Sequence, residues 1–167
     1  AKAEGEAAFT ALMGQDFDLP GHPGQARAGA EVSPFGPTLG IRYPAATPDQ
    51  LIVAATAAAP ALAAASPQVR VGVCIEALAR LNRQSFLIGN ATMHTTGQAF
   101  AMAFQAGGPH AQDRGLEAVA AAYAEMTRFA AQARWEKPQG KAAPIVMQKS
   151  WTLRPAGIAL TIGCNTF

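Results

Sequence analysis

Hydrophobic and polar positions sort the chain into a punctuated front, a helical middle and an extended end. Residues 3–13, with Phe9, Leu12 and Met13 set among Ala and Glu, predict a short helix closed by Gly14. Residues 14–47 carry Pro20, Pro23, Pro34, Pro37 and Pro44 among frequent Gly, and predict an extended arm lying over the surface. Thr47-Pro48-Asp49-Gln50 reads as a helix start. Thr47 caps, Pro48 sits where its missing N–H costs nothing, and Gln50 completes a capping box. That helix is expected to reach Ala65, bending at Pro60. Ser66-Pro67 repeats the signature and predicts a helix to Ile88. Its apolar face holds Val71, Cys74, Ile75, Leu78, Leu81 and Ser85, which makes Cys74 a small core residue. Glu76, Arg80 and Arg83 fall on the opposite face, with Glu76 and Arg80 spaced for an i,i+4 pair.

Gly89-Asn90 is expected to break the chain, and residues 90–106 to be helical with an interruption at Thr96-Gly97. Gly107-Gly108-Pro109 reads as a firm stop. Asp113 is then expected to cap a long helix to Glu136, burying Leu116, Val119, Ala120, Tyr123, Met126, Thr127 and Ala130. Lys137 to Gly140 reads as a turn and residues 144–154 as a strand. Ile158 to Ile162 is an apolar run without helical or alternating order. It suits a strand over 157–163 buried on both faces, as in a parallel sheet. Parallel strands need crossover helices and further strands, so the pattern predicts the front end of something larger. The expected fold class is an α/β parent, with this segment mainly α-helical and ending in two β-strands.

Composition changes this picture in one respect. Half the residues are hydrophobic, but alanine dominates and aromatics are 7%, so the core is thin. Charged residues at 14% fall below the roughly 25% usual for a soluble domain, which suggests surface covered by other protein. A net charge of +2 without any basic stripe argues against nucleic acid. The run Leu51 to Ala65 is too short, too alanine-rich and too interrupted by Pro60 to read as a membrane span. Cys74 and Cys164 have no metal-type spacing, and so few cysteines read as a reducing cytoplasm. The charged start Ala-Lys-Ala-Glu-Gly-Glu does not open a signal peptide.

Candidate chemistry is sparse. His22, His94 and His110 are far apart and read as structural or surface residues, with no metal set expected. No phosphate-loop or dinucleotide glycine pattern occurs, and no carboxylate pair is spaced for acid–base work. Cys164 and Asn165 differ, because they follow a strand at its C-terminal end, where open α/β sheets bind ligands. On local physics alone this bend is equally a loop with a small polar end.

Several stretches in order resemble one family. Thr96-Gly97-Gln98 stands where that family has Thr-Gly-Lys, and a later helix is read to end in Arg134-Trp135. Arg154-Pro155-Ala156-Gly157-Ile158 resembles its Glu-Pro-x-Gly-Val, and Ile162 to Phe167 resembles its Ile-x-Pro-Trp-Asn-Phe. Together these resemble the N-terminal segment of the NAD(P)-dependent aldehyde dehydrogenase superfamily over residues 47–167. The Gly-Cys-Asn-Thr-Phe variant and the Pro-rich arm look most like its phenylacetate-degradation branch.

After an N-terminal helix and Pro/Gly-rich arm over 1–46, the resemblance implies a helical part of a cofactor domain over 47–137 and an oligomerisation-type strand over 141–155. The first strand and bend of a Rossmann-like domain would occupy 156–167. It also implies NAD or NADP as cofactor, an aldehyde substrate, a homo-oligomer, and a partner in the rest of a parent chain. Ile162, Gly163, Cys164 and Asn165 would line the cofactor, and Thr166 would hold the position of the oxyanion-donating amide. Here the sequence departs, because the amide belongs to Asn165, one place earlier. Either the bend is re-registered so that Asn165 donates, or the donor is weaker or comes from elsewhere. The family's nucleophilic cysteine and general-base glutamate lie beyond this stretch, so the segment alone is expected to be inactive. The alternative class is a stand-alone helical scaffold or interaction module without catalysis.

Overall fold

The computed structural model describes residues 1–154 and 157–163. In chain order the elements are α1 (Lys2–Leu12), β1 (Ala26–Ala28), β2 (Tyr43–Ala45), α2 (Pro48–Ala64), α3 (Pro67–Arg83), α4 (Ser85–Thr96) and α5 (Phe100–Gln105). A π-helical turn (Ala106–His110) leads into α6 (Ala111–Met126), followed by β3 (Gln132–Gln139) and β4 (Ala142–Ser150). The segment is therefore mainly helical with two small antiparallel sheets, β1–β2 and β3–β4.

The starts of α2 and α3 form as the sequence predicts. Thr47 and Gln50 complete the capping box, with Pro48 at the first position, and Ser66 Oγ accepts the Val69 N–H at 3.3 Å. Pro60 is carried inside α2. The buried residues cluster where α1 crosses α4 and where α5 and the π turn pack back on α4: Phe9, Leu39, Ala103 and Ala106. At the crossing, Gly5 of α1 faces Phe86 and Leu87 so closely that a methyl group there would collide with backbone. Phe86 stacks on Phe104 at 4.6 Å, joining α4 to α5.

Leu39 comes from the arm and is 3% exposed, so the arm supplies core as well as covering it. A hydroxyl–imidazole contact fastens it, with Ser33 Oγ 2.9 Å from His94 Nδ1. The His94 ring is stacked on Phe9 at 5.0 Å and meets Phe35 edge-on at 5.9 Å.

Several expectations are corrected. The helix expected to run to Ile88 ends at Arg83, and Gln84 turns the chain into α4. Gly89 and Asn90 do not break α4. Asn90 returns a hydrogen bond to Phe86 O at 2.8 Å, and Gly89 lies against Phe104. Gly107-Gly108-Pro109 does not stop the chain, because a π-helical turn carries α5 into α6. Asp113 lies in the first turn of α6 rather than capping it.

The helix expected to reach Glu136 ends at Met126, where Thr127 Oγ1 bonds back to Tyr123 O at 2.8 Å. Residues 132–139 pair with β4 instead, Trp135 opposite Met147 and Glu136 opposite Val146. Helix propensity is a weak prior, and backbone pairing with β4 overrides it. The hairpin turn falls at Gly140 (φ 61°), the last residue of the turn expected over Lys137 to Gly140, while Lys137 to Gln139 belong to β3 and the register shifts across Pro138. Residues 157–163 form no strand and lie exposed, since a strand requires a paired neighbour.

Cys74 is exposed, and so are Ile75 and Leu81 of the face expected to be core. Leu116 and Tyr123 of α6 are exposed as well. The accessible surface totals 11834 Å², against about 7,800 Å² for a compact monomer of this mass. The excess, about 4,000 Å², is roughly five times what one partner contributes to a standard interface.

Candidate functional site

Of the five residues expected to form a site, two are described. Ile162 and Gly163 are described and exposed, Ile162 at 83%. Cys164, Asn165 and Thr166 lie outside the described residues. Leu160 is 85% exposed, and nothing lies within 4 Å of the position a side chain would take at Gly163. This stretch presents an uncovered apolar edge ending in a glycine that lets another molecule approach the backbone.

The structure gathers a different set of residues. A cavity of about 230 Å³ opens where the end of α2, the start of α3, the end of α6 and the exit of β4 converge. Phe129, Trp151, Met126 and Pro67 make its apolar wall, with Phe129 and Trp151 edge to face at 5.3 Å. Arg70 is its charged member. Nη2 donates to Ala63 O at 2.8 Å and Nη1 to Leu153 O at 3.2 Å, while Nε is buried without a partner. Among the described residues no carboxylate forms an ion pair with Arg70. Ala63 is at the C-terminal end of α2, where carbonyls lack helical partners and a cation is favoured.

Sequence reasoning missed this role, although a clue existed. Ser66-Pro67 places Arg70 near the positive start of α3, a poor location unless the side chain reaches elsewhere. The cavity's hydroxyls belong to Ser66, which caps α3, and Thr152. Among the described residues no thiol, imidazole or carboxylate lines it, so these residues can hold and orient but supply no acid, base or thiolate for covalent chemistry.

The histidines are not brought together. His22 Nδ1 accepts the Gly24 N–H at 3.1 Å, His94 belongs to the arm contact, and His110 ends the π turn. Ser33 and His94 resemble a catalytic pair only on paper. Ser33 is 3% exposed, and its oxygen also accepts the Phe35 N–H at 3.1 Å. That hydroxyl is closed to a substrate and serves packing. Gln98, at the family's lysine position, has a buried Oε1 without a partner among the described residues. No group of three or more metal-ligating side chains occurs among the described residues, and no helix is long and apolar enough to cross a membrane.

The structural neighbours of the chain are aldehyde dehydrogenases. A solved structure of an NAD-dependent aldehyde dehydrogenase from Burkholderia multivorans shares 55% identity and a TM-score of 0.91 over 99% of this chain. The chain spans 30% of that protein's length. Aldehyde dehydrogenase 21 from Physcomitrella patens, solved with the reaction product succinate, aligns at 21% identity and a TM-score of 0.48. That alignment covers 75% of this chain and 24% of the other. No protein-family model and no curated protein matches. The Burkholderia likeness supports the aldehyde dehydrogenase superfamily, which the motifs from Thr96 to Phe167 resemble.

Proposed function

We propose that this chain is the N-terminal part of an NAD(P)-dependent aldehyde dehydrogenase acting in phenylacetate or related aromatic-acid degradation. The observation that carries the reading is 55% identity over 99% of the chain to an NAD-dependent aldehyde dehydrogenase. The uncovered apolar surface agrees with it. A stand-alone helical module would bury Ile158, Leu160 and Ile162, which here are exposed.

The residues present fit a dinucleotide at the end of this segment. Ile162 offers an apolar wall for a flat ring, and Gly163 offers backbone without a side chain in the way. NAD(P), when bound, supplies the acceptor for the hydride leaving the substrate carbon. Ile162, Gly163, Cys164 and Asn165 bind and orient it. Asn165, or Thr166 if the bend keeps the family register, donates a hydrogen bond to the oxygen that becomes negative as the aldehyde is attacked. The attacking thiolate and the general base lie outside these 167 residues, so the segment alone has no turnover. The remaining chain and further copies cover the apolar faces, in a cytoplasmic oligomer.

The test is aldehyde-dependent NAD(P) reduction by the full-length protein, with phenylacetaldehyde among the substrates. Asn165→Ala is expected to lower kcat about 100-fold if Asn165 is the donor, and Thr166→Ala to do so if Thr166 is. A purified, folded full-length protein that reduces neither NAD nor NADP with any aldehyde would refute the reading.

A further inference from the structure

We infer that the cavity walled by Phe129 and Trp151 is a binding site for a small carboxylate on a flat apolar body, anchored by Arg70. The site is built where the ends of α2 and α6, the start of α3 and the exit of β4 meet, and it uses none of the terminal motif. Its charge comes from one side chain. Arg70 is half-buried, and Nη2 and Nη1 donate to the neutral carbonyls of Ala63 and Leu153 at 2.8 and 3.2 Å. Nη1 also meets Met126 Sδ at 3.9 Å, and Nε is enclosed without a partner. These contacts fix the guanidinium in place and leave its charge uncompensated. Glu125, next to Met126 in the chain, is taken up by Arg128 at 3.5 Å. A cation that has given up water without gaining an anion attracts one more strongly than a hydrated surface arginine does. Nη2 keeps a second N–H for the incoming acceptor.

The walls decide what carries the carboxylate. Phe129 is 55% exposed and meets Trp151 edge to face at 5.3 Å, an arrangement that accepts a further aromatic ring. The volume is about 230 Å³. An apolar cavity of about 150 Å³ already holds benzene, so one ring with a carboxylate fits and a dinucleotide does not. A phosphate group is a poor match, because it is best held by several free backbone N–H groups at a helix start. In the first turn of α3, Pro67 has no N–H, and those of Val69 and Arg70 already go to Ser66 Oγ and Ser66 O.

The test is ¹⁹F NMR of the full-length protein labelled with 5-fluorotryptophan, the Trp151 resonance being assigned by its loss in Trp151→Phe. Benzoate, benzamide and inorganic phosphate are the probes. Benzoate is expected to shift the Trp151 resonance saturably with a Kd on the order of 1 mM, as ligands of this size bind. Benzamide, the same shape without the charge, binds about tenfold more weakly, and phosphate leaves the resonance in place. Arg70→Met reduces benzoate affinity about tenfold, while Ser33→Ala, far from the cavity, leaves it unchanged. The benzamide comparison uses the wild type, so it decides even where Arg70→Met fails to fold. No benzoate shift overturns the inference, including the case in which the rest of the full-length protein fills the cavity. Equal binding of benzoate and benzamide overturns the anchoring by Arg70, as does undiminished benzoate binding in a folded Arg70→Met. A phosphate shift matching that of benzoate overturns the ligand class.

Discussion

Replacing Ser33 by alanine tests whether the arm is fastened by one hydroxyl. Ser33 Oγ lies 2.9 Å from His94 Nδ1 and accepts the Phe35 N–H at 3.1 Å. Removing it strands one donor and one ring nitrogen in a site where Ser33 itself is 3% exposed. A buried polar group left unpaired costs about 1–3 kcal/mol. His94 is only half-buried, and water can reach part of the ring, so about 1.5 kcal/mol is expected, near the lower end. At roughly 2–4 °C per kcal/mol for a chain of this length, the melting temperature falls by about 3–6 °C.

Tryptic cleavage gives a local reading of the same change, because Arg27 and Arg42 lie in the arm, held by Asp18 and Asp16. When reclosing outpaces cleavage, a loss of this size raises the cleavage rate there about tenfold. His94→Phe keeps an aromatic ring beside Phe9 and Phe35 while removing the nitrogen. The two substitutions should therefore be non-additive by about 0.5–1.5 kcal/mol in a double-mutant cycle. A neutral Ser33→Ala, or strict additivity with His94→Phe, would refute the reasoning.

Two further perturbations address α4 and α3. Gly97 ends α4 at φ 76°, donates to Met93 O at 2.9 Å, and would place a side-chain carbon 3.3 Å from the Pro34 ring. Gly97→Ala is expected to destabilise by about 1–2 kcal/mol through its left-handed backbone alone, read by chemical denaturation; a stability equal to wild type contradicts the cap. Glu76 is held below its usual value of 4.5 chiefly by the hydrogen bond from Arg80, with Arg83 adding attraction. Its folded value lies below the unfolded one, so its contribution is present above pH 4.5 and is lost as pH falls through the folded value. Wild type should therefore melt above Glu76→Gln at neutral pH and converge with it in acid; a difference that persists or grows in acid would show the sign to be wrong.

Local signals in the sequence were reliable where chemistry acts over a few residues. Thr47 with Gln50, Ser66 with Pro67, and Gly97 each specify a helix end through bonds within four positions, and each appears as read. The same logic failed at Gly107-Gly108-Pro109, where a π turn absorbs residues that punctuate most chains. It failed again at residues 132–139, where alanine neighbours suggested helix and pairing with β4 decided otherwise. Burial was the least legible property. Val73, Ile75 and Leu81 have core chemistry but remain exposed, because periodicity tells which residues share a face and not what meets it.

By itself the sequence determined the starts of α2 and α3, the Gly97 cap and the terminal motif from Arg154 to Phe167 that resembles a dehydrogenase. These depend on bonds between near neighbours or on residue identity alone. The tertiary structure decided what lies far apart in sequence and close in space: Ser33 against His94, β3 against β4, and Arg70 reaching across 83 positions to Leu153. Such contacts follow from how α1, the arm and the helices pack, which no local window contains. The terminal motif supplies the residues of the proposed site, and packing alone brings Arg70 to the Leu153 carbonyl that precedes them in the chain.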